Sequence, residues 1–271
     1  MADAEIEDLV LVERDGSAIL VTNNNAARRN ALSPEFYQGF VDALKAAEND
    51  PEVSAVIVRG AGEFFCAGGD LNALKKRREM SLEERKTTIG RLHNLIRTIR
   101  NCSKPVIAAV EGGAAGAGVS IALACDFVVA ARNANFTVAY IKVGLTPDGG
   151  ATAFLSEALP RQLVTEMCLF GDPVGVERLA QAGAVNRVVE PGATLAEARR
   201  IAERLAVGPE RAIASIKQLV DGAKTTGLDQ QLDLERQSMA EALGGAEAAE
   251  GISAFLGKTK PEYAALRKRK D

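Results

Sequence analysis

The chain has 271 residues, 47% of them hydrophobic and 25% charged, with a formal net charge of −3. That length holds one large domain or a domain with a small appendage, and the composition is that of a globular protein. Interleaved acid and base exclude nucleic acid as the main partner. Cys66, Cys102, Cys125 and Cys168 stand far apart with no CxxC, so no zinc site or disulfide framework is expected, and a reducing cytosol fits. The N-terminal MADAEIEDLV is acidic and does not read as a signal peptide, and no run of about 18 uninterrupted apolar residues is present to span a membrane. The basic run Arg267, Lys268, Arg269 and Lys270 reads as a solvated tail. The single histidine, His93, falls among Ile89, Leu92, Leu95, Ile96 and Ile99. It reads as packing or surface, which disfavours histidine triads and histidine-rich metal sites.

Residues 9–12 and 18–22 read as strands joined at Asp15-Gly16, a hairpin signal. A polar loop with Arg28 and Arg29 follows. Ser33-Pro34 starts a helix whose Phe36, Phe40, Val41 and Leu44 share one face. A buried strand over 53–58 leads to the loop GAGEFFCAGGD at 60–70, then to a charged helix with Lys75, Lys76, Arg77 and Arg78 and an amphipathic helix over 82–100. The run KPVIAAVEGGAAGAGVSIALACD at 104–126 reads as a buried strand, a small-residue turn and a helix start. A strand over 126–130, a mixed stretch over 136–143, the loop GLTPDGG at 144–150, helices over 151–158 and 161–169, and a strand over 185–189 come next. From Thr194 the pattern is helical, with Ile213, Ile216, Leu219 and Val220 expected on the inner face of one helix. The chain thus divides into a strand-and-helix part over 1–195 and an all-helical part over 196–271, expected to pack on the core or on a neighbouring subunit. Alternating strands and helices predict an α/β fold with parallel pairing.

Three strand-to-loop junctions carry glycine clusters, at 66–70, 112–118 and 144–150, where α/β folds build sites. The central one places backbone N–H groups at a helix N-terminus among residues small enough for close approach, a place for an oxygen bearing negative charge. Small residues at such a junction also serve close helix–sheet packing, so both readings stand. It is not a phosphate loop, because no Gly-Lys-Ser/Thr follows and the GxGxxG order fails. Ser120 lies outside any GxSxG elbow.

Taken with Arg29-Asn30-Ala31-Leu32-Ser33, Phe65-Cys66-Ala67-Gly68-Gly69-Asp70-Leu71, KPVIAAV before GGAAGAG, and Phe255-Leu256-Gly257-Lys258 before Lys260-Pro261, the chain resembles the crotonase superfamily (enoyl-CoA hydratase/isomerase) over nearly its full length. The resemblance implies a spiral of repeated ββα units with a C-terminal helical region used in trimer contacts, two trimers commonly stacking into a hexamer. It implies an acyl-CoA thioester as substrate, with coenzyme A part of that substrate and no separate cofactor or metal. By position, the oxyanion-hole amides are those of Gly69 and Ala117, with Gly116 beside them. Coenzyme A contacts fall to Arg28, Arg29, the backbone of Ala67 and Asp70, and Leu71, with Phe255 and Lys258 at the adenine or phosphate end. Asn72 stands where relatives often carry lysine, so Lys75 or Lys76 is a candidate replacement.

Family hydratases use two glutamates, and here Ser120 and Tyr140 occupy those places. Asp148, before Gly149-Gly150, resembles the acid of Δ3,Δ2-enoyl-CoA isomerases and of the 1,2-epoxyphenylacetyl-CoA isomerase branch. One carboxylate in an apolar pocket suits a proton shuttle from C2 to C4, although an aspartate there also serves as a helix cap. Tyr140 is expected to line the acyl pocket. An isomerase with Asp148 as shuttle is the leading reading; a hydratase or hydratase-like hydrolase, and a non-catalytic acyl-CoA-binding scaffold, are the alternatives.

Overall fold

The computed structural model describes residues 8–267. The N-terminal reading falls largely on residues 1–7, and the basic run on 268–270, outside the described part. The chain opens with β1 (Val10–Asp15) and β2 (Ala18–Asn23), an antiparallel hairpin with Asp15 opposite Ala18. α1 (Pro34–Asn49) starts where the Ser33 hydroxyl accepts the Phe36 N–H at 3.1 Å and proline fills the first turn. β3 (Ala55–Gly60), α2 (Leu71–Arg77) and α3 (Leu82–Asn101) follow; a Ser81–Glu84 capping box starts α3. Then come β4 (Val106–Val110), β5 (Gly113–Ala115), α4 (Ala117–Ala124), β6 (Phe127–Ala131) and β7 (Asn135–Thr137). A 3-10 turn, Ala139–Val143, leads to α5 (Ala151–Ala158), α6 (Arg161–Phe170), β8 (Val174–Gly175), α7 (Val176–Gln181) and β9 (Arg187–Val189). The chain ends in α8 (Thr194–Ala206), α9 (Glu210–Gly222), α10 (Leu228–Leu243), α11 (Ala246–Gly257) and α12 (Tyr263–Arg267).

The large sheet runs β1-β2-β3-β4-β6-β9, parallel from β2 onward. Its central strands are apolar on both sides because helices cover both faces. Val56, Val58, Val106, Ala108 and Val110 join Phe36, Phe40 and Leu44 of α1 and Leu95 and Ile99 of α3. The alternate residues Leu20, Ile57, Ile107 and Val129 meet Ala198 and Ala202 of α8 instead. This period of two fixes which face each strand residue serves. Full burial of each Leu or Phe on these faces contributes about 1.5–3 kcal/mol. Residue 196 lies inside α8, so the helical tail begins as the layer that closes the sheet.

Three findings differ from the sequence reading. A second sheet, β5-β7-β8, threads the glycine-rich segment, so 112–118 is a short strand between two turns and not a single turn. Strands of three and two residues leave no readable alternation. Next, the stripe expected to face inward from α9 does so only in part: Ile213 and Leu219 are half-buried, whereas Ile216 and Val220 are 58% and 67% exposed. Lys217 is buried instead, its Nζ 2.8 Å from Asp126 Oδ2 and donating to the Ile99 and Lys104 carbonyls at 3.0 and 3.4 Å. The neighbouring Lys104, also buried, pairs with Glu210 at the start of α9. Charge pairing at the starts of the central strands β4 and β6 thus anchors α9 alongside its half-buried Ile213 and Leu219. Finally, Arg267 is not solvated. Its guanidinium donates to the Leu205 and Gly208 carbonyls at 3.3 and 3.0 Å and lies 3.4 Å from Glu210.

Candidate active site

The first two glycine loops are built against each other. The Ala115 N–H donates to the Cys66 carbonyl at 2.8 Å, and Cys66 and Ala114 form a parallel bridge. Gly68 has φ +84°, and a Cβ there would stand 2.6 Å from the Ala115 oxygen and 3.2 Å from the Ala117 nitrogen. A Cβ at Gly118 would meet the Cys66 carbonyl oxygen at 2.6 Å. The small residues therefore bring two backbone turns into contact, so the packing reading and the ligand reading are both satisfied. Burial pushes the Cys66 thiol up to about 12, against the pull of the Gly68 N–H, so this cysteine is inert packing.

Gly69 follows Gly68 on one turn, and Ala117 opens α4 on the other. Among the described residues neither amide has a hydrogen-bond acceptor. Their neighbours are committed: the Gly68 N–H to Cys66 Sγ at 3.3 Å, the Ala67 N–H to the Arg29 carbonyl at 2.9 Å, the Gly116 N–H to the Thr137 carbonyl at 2.9 Å. Ala67 thus has only its carbonyl left for a ligand. Two uncommitted donors on touching turns, one at a helix N-terminus, suit an oxygen that gains negative charge.

The third loop closes onto the same place. Ser120, fully buried in α4, donates from Oγ to the Asp148 carbonyl at 2.9 Å. The Tyr140 hydroxyl donates to Asp148 Oδ1 at 2.8 Å. A Cβ on Gly116 would reach the Tyr140 ring at 4.0 Å, so the phenol stands between the amide turn and the carboxylate. A Cβ on Gly149 would meet Leu92 at 2.8 Å and Ser120 at 3.0 Å, which presses the loop onto α3 and α4. Among the described residues Asp148 has no ion-pair partner, and its Oδ2 has no donor. Burial, then the Asp148 charge and its hydrogen bond, drive the Tyr140 phenol well above its ordinary value, and the Ser120 hydroxyl works against this. Tyr37 of α1, which the sequence did not single out, feels the same surroundings. Burial raises it most, then Cys66; Arg77 opposes, and Asp148 adds a smaller upward push. Nothing in the sequence marks Tyr37, because its place beside the loops is purely tertiary.

The remaining candidates sit further out. Asp70 caps α2, accepting the Ala73 N–H at 2.9 Å, and pairs with Arg28 at 2.7 Å. The cap bond first, then Arg28, hold its carboxyl below the usual range. Arg29 stacks over the Phe64 ring at 4.0 Å, and Leu71 is exposed. Phe255 is 83% exposed on α11, and Lys258 caps that helix with φ +52°. The main packing of α11 is on α10 and α12, and no hydrogen bond or ion pair among the described residues ties Phe255 or Lys258 to the three loops. No group of three or more His, Cys, Asp or Glu among the described residues is arranged to hold a metal ion. No helix there is long and apolar enough to cross a membrane.

The sequence matches the family described as Enoyl-CoA hydratase/isomerase over residues 13–266. It is 35% identical to 1,2-epoxyphenylacetyl-CoA isomerase of Escherichia coli (strain K12), covering 94% of this chain and 98% of that one. It is 34% identical to 2,3-dehydroadipyl-CoA hydratase of the same organism, with coverage of 94% and 98%. The crystal structure of an enoyl-CoA hydratase from Polaromonas sp. JS666 superposes with a TM-score of 0.91 at 46% identity, covering 93% of this chain and 98% of that chain.

Proposed function

The chain belongs to the enoyl-CoA hydratase/isomerase family, with its crotonase fold, and from that premise we propose that it shifts the double bond of an enoyl-CoA thioester, with Asp148 as proton shuttle. The carrying observation is the Asp148 carboxylate, which unlike that of Asp70 has no ion-pair partner among the described residues: Ser120 and Tyr140 take the places of the hydratase glutamates, and both bind Asp148. In this reading the Gly69 and Ala117 amides hold the thioester oxygen. Removing a proton from C2 sends charge to that oxygen, and fixed donors stabilise it without reorganising, each worth about 3 kcal/mol of barrier. Asp148 takes the C2 proton and returns it at C4, a general-base role worth about 10²–10⁴-fold.

Arg28, Arg29, Asp70 and Leu71 line one approach for coenzyme A in this reading, and Phe255 and Lys258 join it from a neighbouring subunit. Leu228, Met239, Phe255 and Leu256 are all more than half exposed on α10 and α11, which supports assembly as a homotrimer or a dimer of trimers; light scattering measures it. The free thiols of Cys66, Cys102, Cys125 and Cys168 support a reducing compartment.

The test is Asp148→Asn with a 3-enoyl-CoA substrate. A fall of at least about 10²-fold in kcat is expected; a folded variant that keeps full isomerisation overturns the proposal. The hydratase-named relatives make water addition the competing reading, and loss of the conjugated-thioester absorbance of crotonyl-CoA measures it directly. Absence of solvent exchange at C2 of a bound acyl-CoA would favour a binding scaffold.

A further inference from the structure

The geometry around Asp148 points to a second residue with a defined task. We propose that Tyr140 is a positioning residue that immobilises one oxygen of the Asp148 carboxylate, so that the other alone carries the migrating proton from C2 to C4. The inference rests on the isomerase reading above.

A carboxylate that shuttles one proton has to present the same oxygen twice, first to C2 and then to C4. A free aspartate turns about its terminal torsion, which has broad wells, and a turned carboxylic acid exposes its proton to water. Here each degree of freedom is held. The main chain of Asp148 is fixed by the Ser120 hydroxyl at 2.9 Å, and the loop cannot sink further because Leu92 and Ser120 fill the space under Gly149. The side chain is fixed by the Tyr140 hydroxyl on Oδ1 at 2.8 Å. What remains is Oδ2, which has no donor among the described residues.

The proton balance is complete within the site. As the C2–H bond breaks, Oδ2 forms the O–H bond, and the electron pair moves into an enolate that extends through the C3=C4 bond. The same proton then leaves Oδ2 for C4 while the C2=C3 bond forms, and the carboxylate is regenerated. The phenol takes no proton in either half. Its elevated pKa keeps it a donor throughout, since burial and the adjacent carboxylate both oppose its ionisation.

A residue that only packs would not alter the fate of the proton, and this separates the two roles. The experiment uses a 3-enoyl-CoA carrying deuterium at C2, turned over in ordinary water by the full-length protein and by Tyr140→Phe. The readings are kcat, KM and the fraction of deuterium recovered at C4 of the product. Tyr140→Phe removes one oxygen and leaves the ring, and its folding is checked by its melting curve. The expected result is a kcat lowered on the order of ten- to a hundredfold, a KM changed less than about twofold, and a recovered deuterium fraction at least halved. Wild-type deuterium recovery in Tyr140→Phe overturns the positioning role. With Asp148→Asn inert, that result leaves the isomerase reading standing; an active Asp148→Asn removes both.

Discussion

Gly68→Ala tests the contact on which the amide pair depends. The new methyl would lie 2.6 Å from the Ala115 oxygen, against the 3.4 Å at which ordinary contact begins, a shortfall of about 0.8 Å. The nearest atoms are backbone, so no side chain can swing aside, and the two turns must part. The backbone cost of a side chain at φ +84° adds about 1–2 kcal/mol. Gly16→Ala isolates that second cost: φ there is +60° and nothing lies within 4 Å of the added carbon. Displacing a catalytic donor by close to 1 Å costs about 10²-fold in rate. The assay is kcat for 3-enoyl-CoA isomerisation alongside urea midpoints for both variants. Gly68→Ala is expected to lose about 10²-fold in kcat and more stability than Gly16→Ala, while Gly16→Ala retains its rate. A folded Gly68→Ala with wild-type kcat would refute the argument that these turns jointly hold the reacting oxygen.

Three further outcomes are expected. Lys217→Met leaves Asp126, half-buried with 15% of its side chain exposed, without its ion-pair partner; the Val106 N–H, 2.7 Å away, remains bonded to the same oxygen. Urea unfolding should show a loss of about 2–3 kcal/mol, below the roughly 3–5 kcal/mol of a fully buried pair because solvent reaches the carboxylate, and a loss below about 1 kcal/mol contradicts the pairing. Glu111→Ala removes the carboxylate that accepts the Gly192 and Thr194 N–H groups at 3.1 and 3.2 Å where α8 begins; about 1 kcal/mol of stability and slower-exchanging amides at that turn should be lost. Burial raises Cys66 from 9.0 to about 12 and Cys102 from 9.0 to about 11. The folded state favours the thiol, so this stability is complete below pH 9 and lost as pH rises through 11 to 12. The urea midpoint should fall between pH 8 and 10.5, and fall less in Cys102→Ala.

What could be read in the sequence was whatever depends on local spacing. Ser33-Pro34, the unbroken apolar run Val56-Ile57-Val58 and the stripe of α3 each leave a pattern in consecutive residues, and each forms the expected element. The glycine clusters could be located but not aimed: that Gly68 abuts Ala115 depends on the parallel pairing of distant strands. The small sheet was missed because Val174–Gly175 is too short to alternate. The apolar stripe of α9 is real, yet Ile216 and Val220 face outward while Lys217 is buried beside it, because Lys217 answers to Asp126, 91 residues earlier in the chain. Asp148 was singled out by its loop; its bond to Tyr140 follows only from the fold of the 3-10 turn between them.

That charge-held footing of α9 has a mechanical consequence. Lys104 and Lys217 bolt the helix to the residues just before β4 and just before β6, while its greasy ridge of Ile216 and Val220 points away. Any molecule that covers the ridge meets it at a bearing already dictated by the sheet. Trimming Ile216 or Val220 would then weaken such a joint without tilting it, whereas unbolting Lys217 would let the angle itself drift.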